Sequence, residues 1–342
     1  MADKRRALIT GLTGQDGSYL AELLVSKGYD VFGLVRRTSA GPSETVEHMS
    51  LSKQVRFVYG NVRDLSTVRL AMEEVRPDEV YNLAAQSHVW MSFKVPDETW
   101  DTNYYGVARV VNEAMKVNKD VKIYQASTSE MFGSTSPPQS ETSPFAPVSP
   151  YSESKLKAHE EFIVAYREKY GLFAASGILF NHESPRRGKH FVTRKITHSL
   201  AKIKLGLQDK LTLGNLDAKR DWGYAGDYVE AMYLMMQQPE ARDYVIAMGE
   251  TRTVRDFVNA AAHVLDIAIT WEGEGPQEVG KDKNGKVIIG IDPEFYRPNE
   301  VNHLLGDATK AHRELGWKPK VSFDGLVEMM VKSDYDALKH LA

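Results

Sequence analysis

An α/β architecture, a doubly wound parallel sheet with a smaller C-terminal α/β lobe, is what this sequence predicts, on three observations. Short β-rich runs alternate with helical stretches through the first half, a glycine-rich turn follows the first run directly, and the alternation weakens after about Asn181. Strands separated by helices pair in parallel, because the helix carries the chain back to re-enter the sheet in the same direction.

Taken in order, the runs are Ala7 to Thr10, Val31 to Val35, Val55 to Tyr59, Glu79 to Leu83, Val121 to Ala126 and Leu172 to Phe180. Between the first two, Leu20, Leu23 and Leu24 recur at helical spacing and Gly28 is a stop signal, so strand, turn and helix follow in sequence. Asp227 to Gln238 reads as a helix with Val229, Met232, Met235 and Met236 on one face, an apolar stripe that docks back onto the sheet. Glu272 to Lys286 has no apolar periodicity and reads as a loop or hairpin. The predicted organisation is discontinuous: residues 1–180 with about 224–248 form a Rossmann-type domain, and 181–223 with 249–342 form the second lobe. No internal repeat or low-complexity tail interrupts it.

Composition narrows the function. The 342 residues are 42% hydrophobic and 26% charged, with a formal net charge of −3 and both signs interspersed. No basic block of the kind that nucleic acid or an anionic membrane needs is present, so small-molecule chemistry is the default. Without cysteine there is neither a disulfide framework nor a thiolate metal site. Met1 to Arg6 lead straight into the first strand without a signal-peptide core, and no apolar run reaches bilayer length. The expected location is cytoplasmic, and no metal site is expected.

Gly11, Gly14 and Gly17 form a Gly-x-x-Gly-x-x-Gly turn between the first strand and an amphipathic helix. Glycines there let backbone amides approach a pyrophosphate at a helix N-terminus. At the end of the second strand, where an acidic residue would bind an NAD ribose, stand Arg36 and Arg37; two cations would neutralise a 2′-phosphate, which selects NADP over NAD. Asp64, after the third strand, either accepts from the adenine amino group or caps the helix that begins before Ser66 and Val68.

Tyr151 and Lys155 stand four apart in a helical stretch, so they share one face. An ammonium beside the phenol would favour tyrosinate and make it a usable base. Alone, Tyr-x-x-x-Lys also describes a half-buried tyrosine beside a snorkelling lysine. Its weight rises because the fifth strand ends in Ala126-Ser127-Thr128-Ser129-Glu130, at the edge where α/β ligands collect. Thr128 can hydrogen-bond the oxygen that Tyr151 deprotonates, and Glu130 is a candidate for a second proton transfer that a plain alcohol dehydrogenase does not need.

These residues, with Asn82-Leu83-Ala84-Ala85-Gln86-Ser87, the block Leu179 to Gly188 that contains Asn181-His182-Glu183-Ser184-Pro185, and Asp217-Ala218-Lys219-Arg220-Asp221-Trp222-Gly223, closely resemble the GDP-mannose 4,6-dehydratase family of extended short-chain dehydrogenases. The likeness covers nearly the whole chain. It implies an internal redox cycle: Tyr151 removes the C4 hydroxyl proton while C4 hydride passes to NADP, and the resulting ketone acidifies C5. Glu130 then removes the C5 proton, water leaves from C6, and hydride returns to C6 with reprotonation at C5.

The same resemblance implies a GDP-sugar substrate. Thr13, Gln15, Asp16, Leu65, Leu83, Ala84, Ala85, Gln86, Ser87, His182 and Arg187 join the glycines, Arg36, Arg37, Asp64 and Lys155 around NADP. Ser87, Thr128, Ser129, Glu130, Tyr151, Asn181, Lys195 and Arg220 face the sugar nucleotide, with Arg297 and Glu300 at its nucleotide end. Two departures stand out. Ser129 occupies the position where dehydratases of deoxythymidine sugars carry Asp, and Ser39 to Glu44 lack the Asn-Thr-x-Arg pattern of the loop that reaches a neighbouring subunit in relatives. A homotetramer, or otherwise a dimer, is expected. The competing readings are a nucleotide-sugar 4-epimerase, which would have no use for a base at C5, a dehydratase of a related GDP-sugar, and a catalytically silent NADP sensor.

Overall fold

The computed structural model describes residues 4–36, 54–295, 301 and 303–341. Its strands are β1 (Arg6–Thr10), β2 (Asp30–Val35), β3 (Val55–Tyr59), β4 (Glu79–Asn82), β5 (Lys122–Thr128), β6 (Ala174–Leu179), β7 (Asn181–Glu183), β8 (Leu211–Leu213), β9 (Lys219–Arg220), β10 (Trp222–Tyr224), β11 (Asp243–Ile246), β12 (Arg252–Thr253), β13 (Thr270–Glu272), β14 (Val279–Lys281) and β15 (Val287–Ile291). A seven-stranded sheet runs in the order β11-β6-β5-β4-β1-β2-β3, every neighbour parallel. It is a Rossmann-type sheet. The order reverses between β1 and β4, which opens a crevice beyond the carboxyl ends of those strands.

Side chains alternate across this sheet as the pleat requires. Ala7 and Ile9 enter one apolar cluster and Leu8 the opposite one. The first face is covered by helix α1 (Gln15–Ser26), through Leu20, Ala21 and Leu24, together with the helix Ala225–Met236, through Val229, Met232, Met235 and Met236. The second is covered by the helices Leu65–Val75 and Gly106–Val117, the latter through Val107, Val110, Val111 and Ala114 at helical spacing. Each such fully buried leucine, valine or methionine side chain contributes roughly 1.5–3 kcal/mol.

The helix at Ala225–Met236 therefore sits on the sheet, as its stripe predicts, while the strand β11 that follows is a seventh member with no counterpart among the six predicted runs. A third cluster gathers Ile196, Leu200, Leu211, Leu213, Trp222, Phe257, Ile289 and Phe323, around a smaller four-stranded sheet ordered β13-β14-β15-β8. The aperiodic stretch Glu272 to Lys286 contains β14 and the turn into β15, closed by the Asp282 amide on the Lys286 carbonyl at 2.9 Å, with Gly285 at φ +80°. Val301, Leu304, Ala308, Ala311, Leu315 and Trp317, which the sequence assigns to the lobe, pack in the first cluster beside the sheet. No helix among the described residues is long and apolar enough to cross a membrane.

Asp221, fully buried between β9 and β10, ties these parts together. Its carboxylate accepts the amides of Met248 at 2.8 Å, Gly249 at 2.9 Å and Gly306 at 3.3 Å. Burial pushes the carboxyl up to about 7, against those amides, which pull it down. A carboxyl that holds its proton in the folded state above the ordinary value of 3.8 contributes stability that is lost as pH rises toward about 7. In urea unfolding of Asp221→Asn, the stability advantage of the wild type is therefore expected to shrink between about pH 4 and 7 and level off above. An advantage that stays constant across that range contradicts the assignment.

Candidate active site

The crevice at the carboxyl edge opens into a cleft of about 760 Å³, a volume typical of ligand sites. Behind it runs a polar ladder across three strands that ends at Ala126 in its lining. Thr10 donates to Asn82 at 2.6 Å, Asn82 donates to Gln125 at 2.8 Å, and Gln125 donates to the Ala126 carbonyl at 2.9 Å. The Lys155 ammonium reaches the same carbonyl, also at 2.9 Å. Lys155 is carried by the helix Pro150–Ala158, whose first turn is set by a capping box between Ser149 and Ser152, with Pro150 at its first position. Tyr151 lies one turn before Lys155, and both are buried.

β5 ends in a short helical turn in which the Thr128 hydroxyl accepts the Glu130 amide at 3.2 Å. Thr128, Ser129, Glu130, Tyr151 and Lys155 all line the cleft. Burial pushes Tyr151 up to about 12; the hydrogen bond with Thr128 opposes it, and the Glu130 charge adds to it. Burial brings Lys155 down to about 8. Without a cofactor, burial outweighs the Thr128 hydroxyl and the nearby charges that oppose it, so the phenol is held above its ordinary range.

The glycine turn fits a diphosphate. Gly11 takes φ +72°, and a Cβ on it would lie 2.9 Å from the backbone at Leu83 and Ala84; on Gly17 it would lie 2.4 Å from the Gly11 carbonyl oxygen. Gly14 begins α1 without any side-chain cap, which leaves the helix's first amides and positive dipole end for an anion. Arg36 follows β2 and is exposed, and Arg37, Arg297 and Glu300 lie outside the described residues, as does the segment Ser39 to Glu44. The fit to a dinucleotide rests on the uncapped start of α1 and on a turn packed so closely against the backbone that Gly11 and Gly17 have no room for a side chain.

The cleft also brings together Asp16, Leu83, Ala85, Ser87, Asn181, His182, Arg187, Lys195 and Arg220. Asn181 presents a buried Oδ1 with no hydrogen-bond partner, an acceptor suited to a ligand hydroxyl. Lys195 sits over the ring of Phe295, 3.8 Å from its centroid. Other expected residues do not line the cleft. Thr13 and Ala84 stand at the turn; Gln15 donates to the His182 carbonyl and accepts from Ser184; Gln86 hydrogen-bonds Thr99 and the backbone at His88. Asp64 caps its helix through the Ser66 amide at 2.9 Å, the alternative given for it above, and Leu65 is exposed on the first turn.

His88, Trp90, His190, Phe191, Leu213, Val254 and Phe295 complete the wall, and sequence reasoning names none of them. His88 stacks near His190 and Phe191, with ring centroids 5.4 and 5.6 Å away. Their lone signal is that Lys189 to Val192 continue directly from the Asn181 to Gly188 block. Among the described residues no group of His, Asp and Glu is arranged to hold a metal ion.

A family profile described as GDP-mannose 4,6 dehydratase matches residues 8–330. The chain belongs to the GDP-mannose 4,6-dehydratases. The family's member called GDP-mannose 4,6 dehydratase 1 from Arabidopsis thaliana is 50% identical, over 98% of this chain and 91% of that protein. The human GDP-mannose 4,6 dehydratase is also 50% identical, over 97% and 92%. Among solved structures, the UDP-glucose 4-epimerase of Thermus thermophilus in complex with NAD is 27% identical, with a TM-score of 0.80 over 97% of this chain and 99% of that one. Fold is thus shared with epimerases, whereas sequence likeness at this level is with dehydratases.

Replacing Arg36 by Ala is expected to weaken NADP binding about tenfold, the loss of one charge-assisted contact, and to change NAD binding little. Titration calorimetry with both cofactors checks it, and equal losses for the two would remove Arg36 from the 2′-phosphate.

Proposed function

We propose that this chain dehydrates GDP-D-mannose to GDP-4-keto-6-deoxy-D-mannose and water, with NADP regenerated in every cycle. The observation that carries the reading is one cleft in which the Tyr151, Lys155 and Thr128 apparatus of an alcohol dehydrogenase lies together with the carboxyl of Glu130. An alcohol oxidation alone, or an epimerisation at C4, requires no carboxylate for a C–H proton. Loss of water from C5 and C6 does, once a ketone at C4 has made the C5 proton acidic.

In this reading the glycine turn, the first amides of α1, Arg36 and Lys155 would hold NADP. When bound, NADP would supply reversible hydride transfer and a positive ring charge that favours the tyrosinate. Tyr151 takes the C4 hydroxyl proton while Thr128 holds that oxygen. Glu130 takes the proton from C5. The two protons collected are given back, one leaving with the C6 hydroxyl as water and one returning to C5, so the sum is dehydration without net oxidation. Asn181, Lys195 and Arg220 orient the sugar nucleotide, and Arg297 with Glu300 are assigned to its nucleotide end. The wider reading is of a cytoplasmic protein of two lobes, residues 1–180 with 224–248 and 181–223 with 249–342, that self-associates as a homotetramer or otherwise a dimer; the separate apolar cluster of the smaller sheet supports the second lobe, while Val301 to Trp317 pack with the larger sheet.

Mass spectrometry of the purified protein with GDP-mannose and catalytic NADP is expected to show a product lighter by one water with no net accumulation of NADPH. An unchanged mass with altered sugar configuration would favour the 4-epimerase instead. Replacing Glu130 by Gln is expected to lower turnover at least about a hundredfold while leaving C4 oxidation intact, seen as a single-turnover rise in NADPH absorbance. Full activity in that variant would sink the mechanism.

A further inference from the structure

His182 stands on β7 between Asn181 and Glu183, and the resemblance assigns it to the cofactor. Its ring nitrogens are engaged elsewhere. Nδ1 lies 2.7 Å from the Phe180 carbonyl oxygen and Nε2 lies 2.8 Å from a carboxylate oxygen of Asp16. A ring nitrogen that faces an acceptor at hydrogen-bond distance carries a proton, and when both do the ring is an imidazolium. One ring face stacks on Tyr228, with centroids 4.6 Å apart. Burial alone would push this imidazole down, as does Arg187, the other charged group that bears on it. The Asp16 charge and hydrogen bond outweigh both and hold it above its ordinary value. Asp16 is held low in turn: burial raises it, and the His182 cation overrides that.

The pair does not act alone. Gln15 donates to the His182 carbonyl at 3.0 Å and the Ser184 hydroxyl donates to Gln15 at 2.8 Å. Arg186 donates to Ser18 at 3.1 Å and to Glu22 at 2.6 Å. The first two turns of α1 are thus fastened, residue by residue, to the segment 182–186. One of these partners begins at the glycine cradle. The other begins at Asn181, with its unpartnered buried acceptor, and β7 pairs in parallel with β10, next to Arg220.

We propose that His182 is a positioning residue, a fixed cation that clamps the cofactor-cradling helix α1 to the substrate-facing strand β7 and so keeps the two halves of the cleft in register for hydride transfer. The inference rests on the dehydratase reading for its consequence and on the geometry of the pair for its existence. A clamp of this kind acts on the chemical step, since small misplacement of reacting groups is costly, and with both ring nitrogens of His182 committed to Phe180 and Asp16 its loss is expected to fall on turnover more than on cofactor affinity.

Three measurements on the full-length protein with NADP bound test it. Nitrogen-15 NMR of labelled histidines is expected to show both ring nitrogens of His182 protonated at about pH 7. His182→Gln and Asp16→Asn are each expected to lower kcat about tenfold or more at saturating NADP and GDP-mannose, while the Kd for NADP moves less than about threefold. The double variant is expected to be no worse than either single one, because both remove the same clamp. A tenfold weaker NADP complex with kcat retained at saturation would make His182 a cofactor contact and overturn the proposal. So would a lower Tm with kcat per folded molecule unchanged, or a neutral His182 ring. If neither variant folds, the protonation state of the wild-type ring decides. If the wild type itself leaves GDP-mannose unchanged, it is the dehydratase reading that fails, and the ring NMR with the NADP affinities still decides the clamp.

Discussion

Lys155 donates its ammonium to the carbonyl of Ala126, and the geometry of the cleft depends on that bond. It joins the helix bearing Tyr151 to the strand that ends in Thr128, Ser129 and Glu130. Behind it, the carbonyl is steadied by Gln125, Gln125 by Asn82 and Asn82 by Thr10. These amides and hydroxyls meet because β1, β4 and β5 are in register at their carboxyl ends, with Thr10 opposite Asn82 and Asn82 opposite Gln125. A one-residue slip would turn each to the wrong face and leave buried polar groups unpaired, at roughly 1–3 kcal/mol each. The ladder thus makes the register of a parallel sheet and the position of a reactive tyrosine one and the same constraint.

Burial then decides the charge states. Tyr151 is held protonated and Lys155 is brought toward neutrality, both by desolvation, so the protein alone stores no reactive tyrosinate. Asp16 and His182 meet at 2.8 Å where α1 touches β7, and each shifts the other toward its charged form.

Much of this is legible in the chain. The glycine turn, the six β-rich runs and the spacing of Tyr151 and Lys155 are local patterns, each set by one element's geometry, and the structure has strands at all six runs and the pair on one helix. What escapes is what needs a partner. β11 is four residues long and joins the sheet by pairing with β6, so no periodicity announces it. β14 lies in a stretch without alternation, where strand formation depends on β13 and β15 beside it. Asp64 and Gln86 carry groups equally suited to a ligand or to the backbone, and only the fold shows Asp64 on a helix amide and Gln86 on Thr99 and His88. His88, His190, Phe191 and Phe295 come to the cleft wall from segments far apart in the sequence.

By itself, then, the sequence determined the doubly wound sheet, the glycine turn after its first strand and the placement of Tyr151 and Lys155 on one helix face, because strand alternation, glycine spacing and helical periodicity are properties of single segments. Only the tertiary structure decided which groups share the cleft, which are committed to caps and ties, and which hold their protons. Those outcomes follow from burial and from hydrogen-bond partners brought in by other segments, and a pattern along one stretch of chain carries no record of either.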